Sequence, residues 1–176
     1  VTGCAAQITP QRFAEMPEVD RVIGNDEKLA RSSYSGAERV AVADIMQSRS
    51  TPDHTIGGFE TRTRAFVQIQ QGCDHRCTFC IIPFGRGNSR SVGPDTVLAQ
   101  VSRLTQAGYR EIVLTGVDIS SYGTDLADGL SLGGLCRLLL ARTPDLARLR
   151  LSSLDPAIVD ETLLVLIAEE PRLMPH

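Results

Sequence analysis

The chain has 176 residues, 42% of them apolar and 22% charged, with a formal charge of −3 at pH 7. That length suits one ordinary domain or one and a fraction. The apolar run Leu163-Leu164-Val165-Leu166-Ile167-Ala168 falls far short of the ~20 residues that a membrane span needs, and the net charge does not point to nucleic acid.

In chain order, Val1 to Gln7 reads as a strand end running into a loop. Thr9-Pro10-Gln11 is a helix start, with Thr as cap and Pro at the first position. Asp20 to Asn25 reads as a short strand, and Asp26-Glu27-Lys28-Leu29 as a further helix start. Residues 36–63 have little periodicity. Ser48-Arg49-Ser50-Thr51-Pro52-Asp53 and Gly57-Gly58 are breaker chemistry, so this stretch is expected to be a linker.

Regular patterning starts at Arg64. Ala65 to Gln70 alternates apolar and polar, as a strand does. Pro94 to Ala107 carries Val97, Leu98, Val101 and Leu104 at helical spacing, and Gly108 ends it. Glu111 to Thr115 predicts a buried strand, Leu132 to Arg142 an apolar helix, Leu146 to Ser152 another alternating strand, and Pro156 to Glu169 a third helix. Three strand-then-helix units predict an α/β fold with a parallel sheet and helices outside it. In barrels of that kind the chemistry sits at the C-terminal ends of the strands.

The first such end carries the run Gly72-Cys73-Asp74-His75-Arg76-Cys77-Thr78-Phe79-Cys80-Ile81-Ile82-Pro83. Three thiols at a C-x3-C-x2-C spacing match three corners of a four-iron cluster and leave the fourth iron open to a substrate or cofactor. Four would suggest simple electron transfer; three suggest chemistry at the cluster. The rival is a structural zinc site, which needs four closed ligands, usually as two separated pairs. His75 is cramped between Cys73 and Cys77, and the chain has no second C-x2-C pair. A disulfide framework is disfavoured by the odd count of five cysteines in a chain of this size. Cys136, in Leu135-Cys136-Arg137-Leu138, reads as a small buried hydrophobe.

Charge is unevenly placed. From Arg62 to Arg90 there are five arginines (Arg62, Arg64, Arg76, Arg86, Arg90) against one acid, Asp74, so this segment carries +4 and the remainder −7. A basic island around a cysteine loop attracts a phosphate-bearing substrate, or its arginines are merely solvated. His54 and His176 have no motif context.

The run from Gln71 to Ser91 closely resembles the cluster loop of the radical S-adenosylmethionine methylthiotransferases. So do Ile112-Val113-Leu114-Thr115-Gly116-Val117-Asp118, Ser121-Tyr122-Gly123, Arg150-Leu151-Ser152-Ser153-Leu154-Asp155-Pro156 and Val1-Thr2-Gly3-Cys4-Ala5-Ala6-Gln7. The resemblance implies the N-terminal half of a radical SAM partial (β/α) barrel over 64–176, preceded at 1–35 by the tail of an α/β methylthiotransferase N-terminal domain. It implies a [4Fe-4S] cluster on Cys73, Cys77 and Cys80, whose open iron is chelated by S-adenosyl-L-methionine. An electron from the cluster then gives methionine and a 5′-deoxyadenosyl radical. It gives Cys4 to a second [4Fe-4S] cluster that delivers sulfur.

Thr115 and Gly116 then face the cofactor's amino group, and Ser152 and Ser153 lie near its ribose and carboxylate. Asp118 accepts from the cofactor or caps its own loop. Phe79 packs on the adenine or covers the cluster. Arg86 and Arg90 hold substrate or a cofactor carboxylate through bidentate contacts.

Among the family's branches, the one acting at C2 of N6-threonylcarbamoyladenosine 37 in tRNA matches best. The isopentenyladenosine branch and the ribosomal-protein aspartate branch are alternatives. Expected partners are a tRNA substrate and an external electron donor, with neither membrane nor DNA. The absence of a charged-then-apolar leader, and the need of cluster thiols for reducing surroundings, predict a cytoplasmic location. The start at Val1 in mid-motif predicts an internal fragment. Two further cysteines are expected before Cys4, and the rest of the barrel with a β-rich RNA-binding domain after His176.

Overall fold

The computed structural model describes residues 1–51 and 63–175. Pro52, Asp53, His54, Gly57, Gly58, Arg62 and His176 lie outside the described residues. The chain divides into two compact units, Val1–Pro52 with Gly72–Asn88, and Asp53–Gln71 with Ser89–His176.

The first unit opens with helix α1 (Cys4–Ile8) where a strand end is predicted. Gly3, at φ 108°, turns the chain sharply enough to start a helix there. Thr9 separates it from α2 (Pro10–Ala14), with Pro10 in the first turn as expected. Strand β1 (Val22–Ile23) pairs in parallel with β2 (Val40–Ala41). Asp26 leads only into a single 3₁₀ turn, Glu27–Leu29. Helix α3 (Ile82–Arg86) comes from the cysteine loop and packs on α1. Ala6, Val19 and Val22 form a small core, joined by Phe13, Val40 and Val42. Gln7 is buried but fully used. Its amide donates to the Ala43 carbonyl at 2.8 Å, and its oxygen accepts from the Asn25 N–H at 2.8 Å.

The second unit is a three-stranded parallel sheet in the order β3 (Arg64–Gln68), β6 (Glu111–Thr115), β7 (Arg148–Leu151). Between β3 and β6 in sequence lie β4 (Gln70–Gln71) and β5 (Arg90–Ser91), an antiparallel pair, and then α4 (Pro94–Gln106). Helices α5 (Leu132–Arg142) and α6 (Glu161–Glu169) follow β6 and β7. This is the α/β class with a parallel sheet that the three-unit pattern predicts.

Register explains the core. Ala65, Ile112 and Leu149 are directly paired across the sheet, as are Val67, Leu114 and Leu151, and all six are buried. They pack with Val97, Val101, Leu104, Leu135, Leu139 and Leu163 of the helices. Period-two alternation sends the neighbouring residues to the opposite face. There Phe66, Val113 and Arg150 form one row and Arg64, Glu111 and Arg148 another. Each fully buried aliphatic side chain contributes about 1.5–3 kcal/mol, so the first pair of rows decides the register. Cys136 sits in this core, and burial pushes its thiol up to about 12, which leaves it inert at neutral pH.

Helix α6 starts later than the sequence pattern predicts. Asp160 caps it by accepting from the Leu163 N–H at 2.9 Å, while Pro156–Ile158 is a separate 3₁₀ turn capped by Asp155.

Candidate functional site

The cysteine loop leaves the second unit after β4 and returns to it at β5, so an antiparallel pair forms its root. Gly72 has φ +76°, and a Cβ there would lie 1.9 Å from the Asn88 carbonyl oxygen. Only glycine fits this crossing. The Cys73 N–H donates to the Gly87 carbonyl at 3.1 Å and closes the loop's neck. Arg76 donates to the carbonyls of Cys73 (2.9 Å) and His75 (3.1 Å), and to Asn88 Oδ1 at 2.6 Å. The Cys80 N–H donates to the Cys77 carbonyl at 3.0 Å, which makes a tight turn of the second and third cysteines. Arg76 is thus an organiser of the loop, a role that its spacing in the sequence did not disclose.

Cys73, Cys77 and Cys80 form no disulfide; Cys77 is exposed and the other two are partly so. Among the described residues no three His, Cys, Asp or Glu side chains converge tightly enough for a single ion. A four-iron cluster asks for a wider spread, because each thiolate meets a different iron. Three accessible thiols on one backbone-anchored loop fit that group. Beside them Phe79 is 91% exposed, and Ile81, Ile82 and Phe84 are exposed too, so the loop carries an apolar surface. Ile81 and Phe84 also line a cavity of ≈ 580 Å³ with Ile8, Pro10, Ile45 and Met46.

Cys4 lies in the same unit, at the start of α1. Arg86 donates to its sulfur from Nε at 3.0 Å, and Asn25 from Nδ2 at 3.7 Å. Asn25 is buried, also donates to the Gly85 carbonyl, and accepts from Lys28 Nζ at 2.7 Å. Burial, and then the charge of Arg86, hold the Lys28 ammonium below its ordinary value. Cys4, which sequence reasoning placed by motif alone, therefore sits in a cradle of nitrogen donors. Asn25 and Lys28 were missed; no local pattern marks a pair so far from the cysteine in sequence.

In the second unit the strand ends share one rim. Thr115 closes β6, and its carbonyl accepts from the Ile69 N–H at 2.9 Å. The Ser152 N–H donates to the Leu114 carbonyl at 2.9 Å, which sets Ser152 and the exposed Ser153 beside that same end. A Cβ on Gly116 would meet the backbone and side-chain oxygens of Gln70 at 2.9 Å. Gln70 is the organiser here, and it is fully buried. Its Oε1 accepts from Val117 (2.9 Å) and Asp118 (2.8 Å), and its Nε2 donates to Ser89 Oγ at 3.0 Å. Asp118 accepts from Ser121 Oγ at 2.8 Å and precedes the 3₁₀ turn Ile119–Ser121. Arg90 lies in β5, only 3% exposed. Tyr122 is buried and donates to the Val92 carbonyl at 2.7 Å; burial raises its pKa.

The chain is 46% identical over its whole length to the threonylcarbamoyladenosine tRNA methylthiotransferase MtaB of Rickettsia prowazekii (strain Madrid E), covering 42% of that protein. It is 35% identical to the MtaB of Bacillus subtilis (strain 168), covering all of this chain and 40% of that one. It is 33% identical to a tRNA-2-methylthio-N(6)-dimethylallyladenosine synthase of Chlorobaculum tepidum, again covering all of this chain and 40% of the relative. The chain thus spans about two fifths of the length of these curated relatives. They bear out the likeness to methylthiotransferases read from the cysteine loop. The Radical SAM superfamily model matches residues 67–167, from within β3 to within α6, so the match takes in the cysteine loop, the end of β3 and the whole of β6 and β7. The chain belongs to the Radical SAM superfamily.

Proposed function

We propose that the full-length protein is a tRNA methylthiotransferase that inserts a methylthio group at C2 of N6-threonylcarbamoyladenosine 37. The observation that carries this reading is the backbone-anchored loop of three cysteines outside any disulfide, in a chain 46% identical to a relative of that name. Cys73, Cys77 and Cys80 would hold a [4Fe-4S] cluster with one iron left for S-adenosyl-L-methionine, and Cys4 would serve a second cluster. Bound there, the cluster and cofactor supply one-electron chemistry capable of attacking a C–H bond.

The chain's own residues hold and shield. Gly72, Arg76 and Asn88 fix the shape of the loop. Phe79 offers an exposed ring to the adenine. Thr115, Gly116 and Asp118 form a strand end that Gln70 holds still, ready for the cofactor's polar groups, and Ser152 and Ser153 flank it. The net positive segment from Arg62 to Arg90 draws in the phosphates of a tRNA. An external electron donor and a cytoplasmic setting complete the reading. Among the described residues no helix is long and apolar enough to cross a membrane.

The test is liquid chromatography–mass spectrometry of tRNA nucleosides from a deletion strain. Threonylcarbamoyladenosine should lose its methylthio group. The wild-type gene should restore it and Cys77→Ala should not, although the purified variant keeps its far-UV circular dichroism. Persistence of the modified nucleoside in the deletion strain sinks the proposal. Loss of the dimethylallyladenosine derivative instead moves the enzyme to the branch represented by the 33% identical relative. Zinc without iron after anaerobic reconstitution would mean a structural metal module.

A further inference from the structure

We propose that Arg86 is a positioning residue for Cys4. Its guanidinium holds the thiolate that ligates the second cluster and sets that cluster's electron affinity. The inference rests on the reading of Cys4 as a ligand given above.

The geometry is specific. Arg86 Nε is 3.0 Å from Cys4 Sγ, across 82 residues of sequence. The approach is built on both sides. A Cβ on Gly85 would lie 2.9 Å from Cys4 Cβ, so α3 comes this close to α1 only with glycine before Arg86. Asn25 then ties the two helices, donating from one amide nitrogen to the Gly85 carbonyl and to Cys4 Sγ. Lys28 behind Asn25 orients that amide by donating to its oxygen.

This placement decides between two uses of Arg86. A bidentate clamp on a carboxylate or phosphate often uses Nε together with a terminal nitrogen. Here Nε is engaged by sulfur, so that side-on fork is closed. A solvated arginine would make no such contact; Arg86 is half-buried and reaches one of the few sulfurs in the chain. A charged donor on a ligating sulfur disperses the thiolate's negative charge and favours the reduced cluster. Hydrogen bonds to sulfur and net local charge are the protein's main means of tuning such potentials. Arg86 stands six residues after Cys80, so the segment that supplies three thiols to one cluster also supplies the donor to a thiol of the other.

The experiment uses the full-length protein with Cys73, Cys77 and Cys80 replaced by Ala, so that only the second cluster assembles on anaerobic reconstitution. Cys4→Ala is the first control. If it keeps full iron and sulfide, Cys4 is not a ligand, and the functional reading fails before Arg86 is tested. If it loses them, Arg86→Gln and Arg86→Lys are compared with the parent by redox titration and electron paramagnetic resonance.

Arg86→Gln should shift the midpoint to a lower potential and alter the spectrum of the reduced cluster. Arg86→Lys, which keeps the charge and loses the planar fork, should fall between. Loss of the cluster in both variants with far-UV circular dichroism intact also supports the assignment. An unchanged midpoint and spectrum in Arg86→Gln at full iron content overturns it. So does loss of the far-UV signal in both variants, which would mean that Arg86 holds the fold and not the sulfur.

Discussion

Gly72 and Gln70 are two residues apart and do opposite jobs, one by having no side chain and one by using every polar atom of it. At Gly72 an alanine would adopt a left-handed backbone and put its Cβ 1.9 Å from the Asn88 carbonyl oxygen. Backbone strain of this kind costs on the order of 1–3 kcal/mol, and the neck of the loop must open to relieve it. Gly72→Ala in the intact protein should therefore speed tryptic cleavage at Arg76 and Arg86 several-fold, with the far-UV spectrum unchanged. Equal cleavage rates would show that the crossing relaxes without opening. Gln70 was invisible to sequence reading because a glutamine at the end of an alternating strand reads as solvent-facing. Its burial follows from the tertiary placement of the Val117 and Asp118 N–H groups, which no local pattern records.

The parallel sheet was legible because alternating apolar residues on β3 and β7, a buried apolar run on β6 and helical stripes on α4 and α5 leave one consistent register. Punctuation was less legible. Asp155-Pro156 and Asp160-Glu161 both look like helix starts, and only the cap on the Leu163 N–H shows which one opens α6. The row Arg64, Glu111, Arg148, with Arg150 one turn of the pleat away, was not legible at all. Burial alone would raise the Glu111 pKa. The hydrogen bonds from Arg150 and Arg148, with the charge of Arg64, outweigh it and hold the carboxyl below its ordinary value.

A folded value below the unfolded one means stabilisation that is fully present above the unfolded glutamate pKa of ~4.3 and is lost as pH falls through the folded value. Glu111→Gln should cost about 1–3 kcal/mol at pH 7, the figure for a buried hydrogen-bonded charge tempered by arginines that are a third to half exposed. Urea unfolding at pH 7 and at acid pH checks this. The gap between variant and wild type should narrow in acid, and a gap independent of pH would remove the carboxylate from the account.

At the scale of the whole molecule, the described core of the parallel sheet is built from residues of the second unit. Iron should therefore be dispensable for the sheet. Removing it from the intact protein with a chelator should leave the amides of β6 and β7 protected in hydrogen exchange while those of 73–88 become faster. Collapse of protection in the strands would show that the metal supports the fold, as in small zinc domains. The pairing of Cys4 with the loop that follows Cys80 was the part least accessible from sequence, since motifs report what a residue is and not what it faces. The bare Cα of Gly85 carries a consequence for protein engineering. A loop of this type grafted onto a foreign barrel, without the amino-terminal helix that nestles into that gap, would arrive with its arginine aimed at nothing. The two segments are best transplanted, shuffled or redesigned as a single cassette.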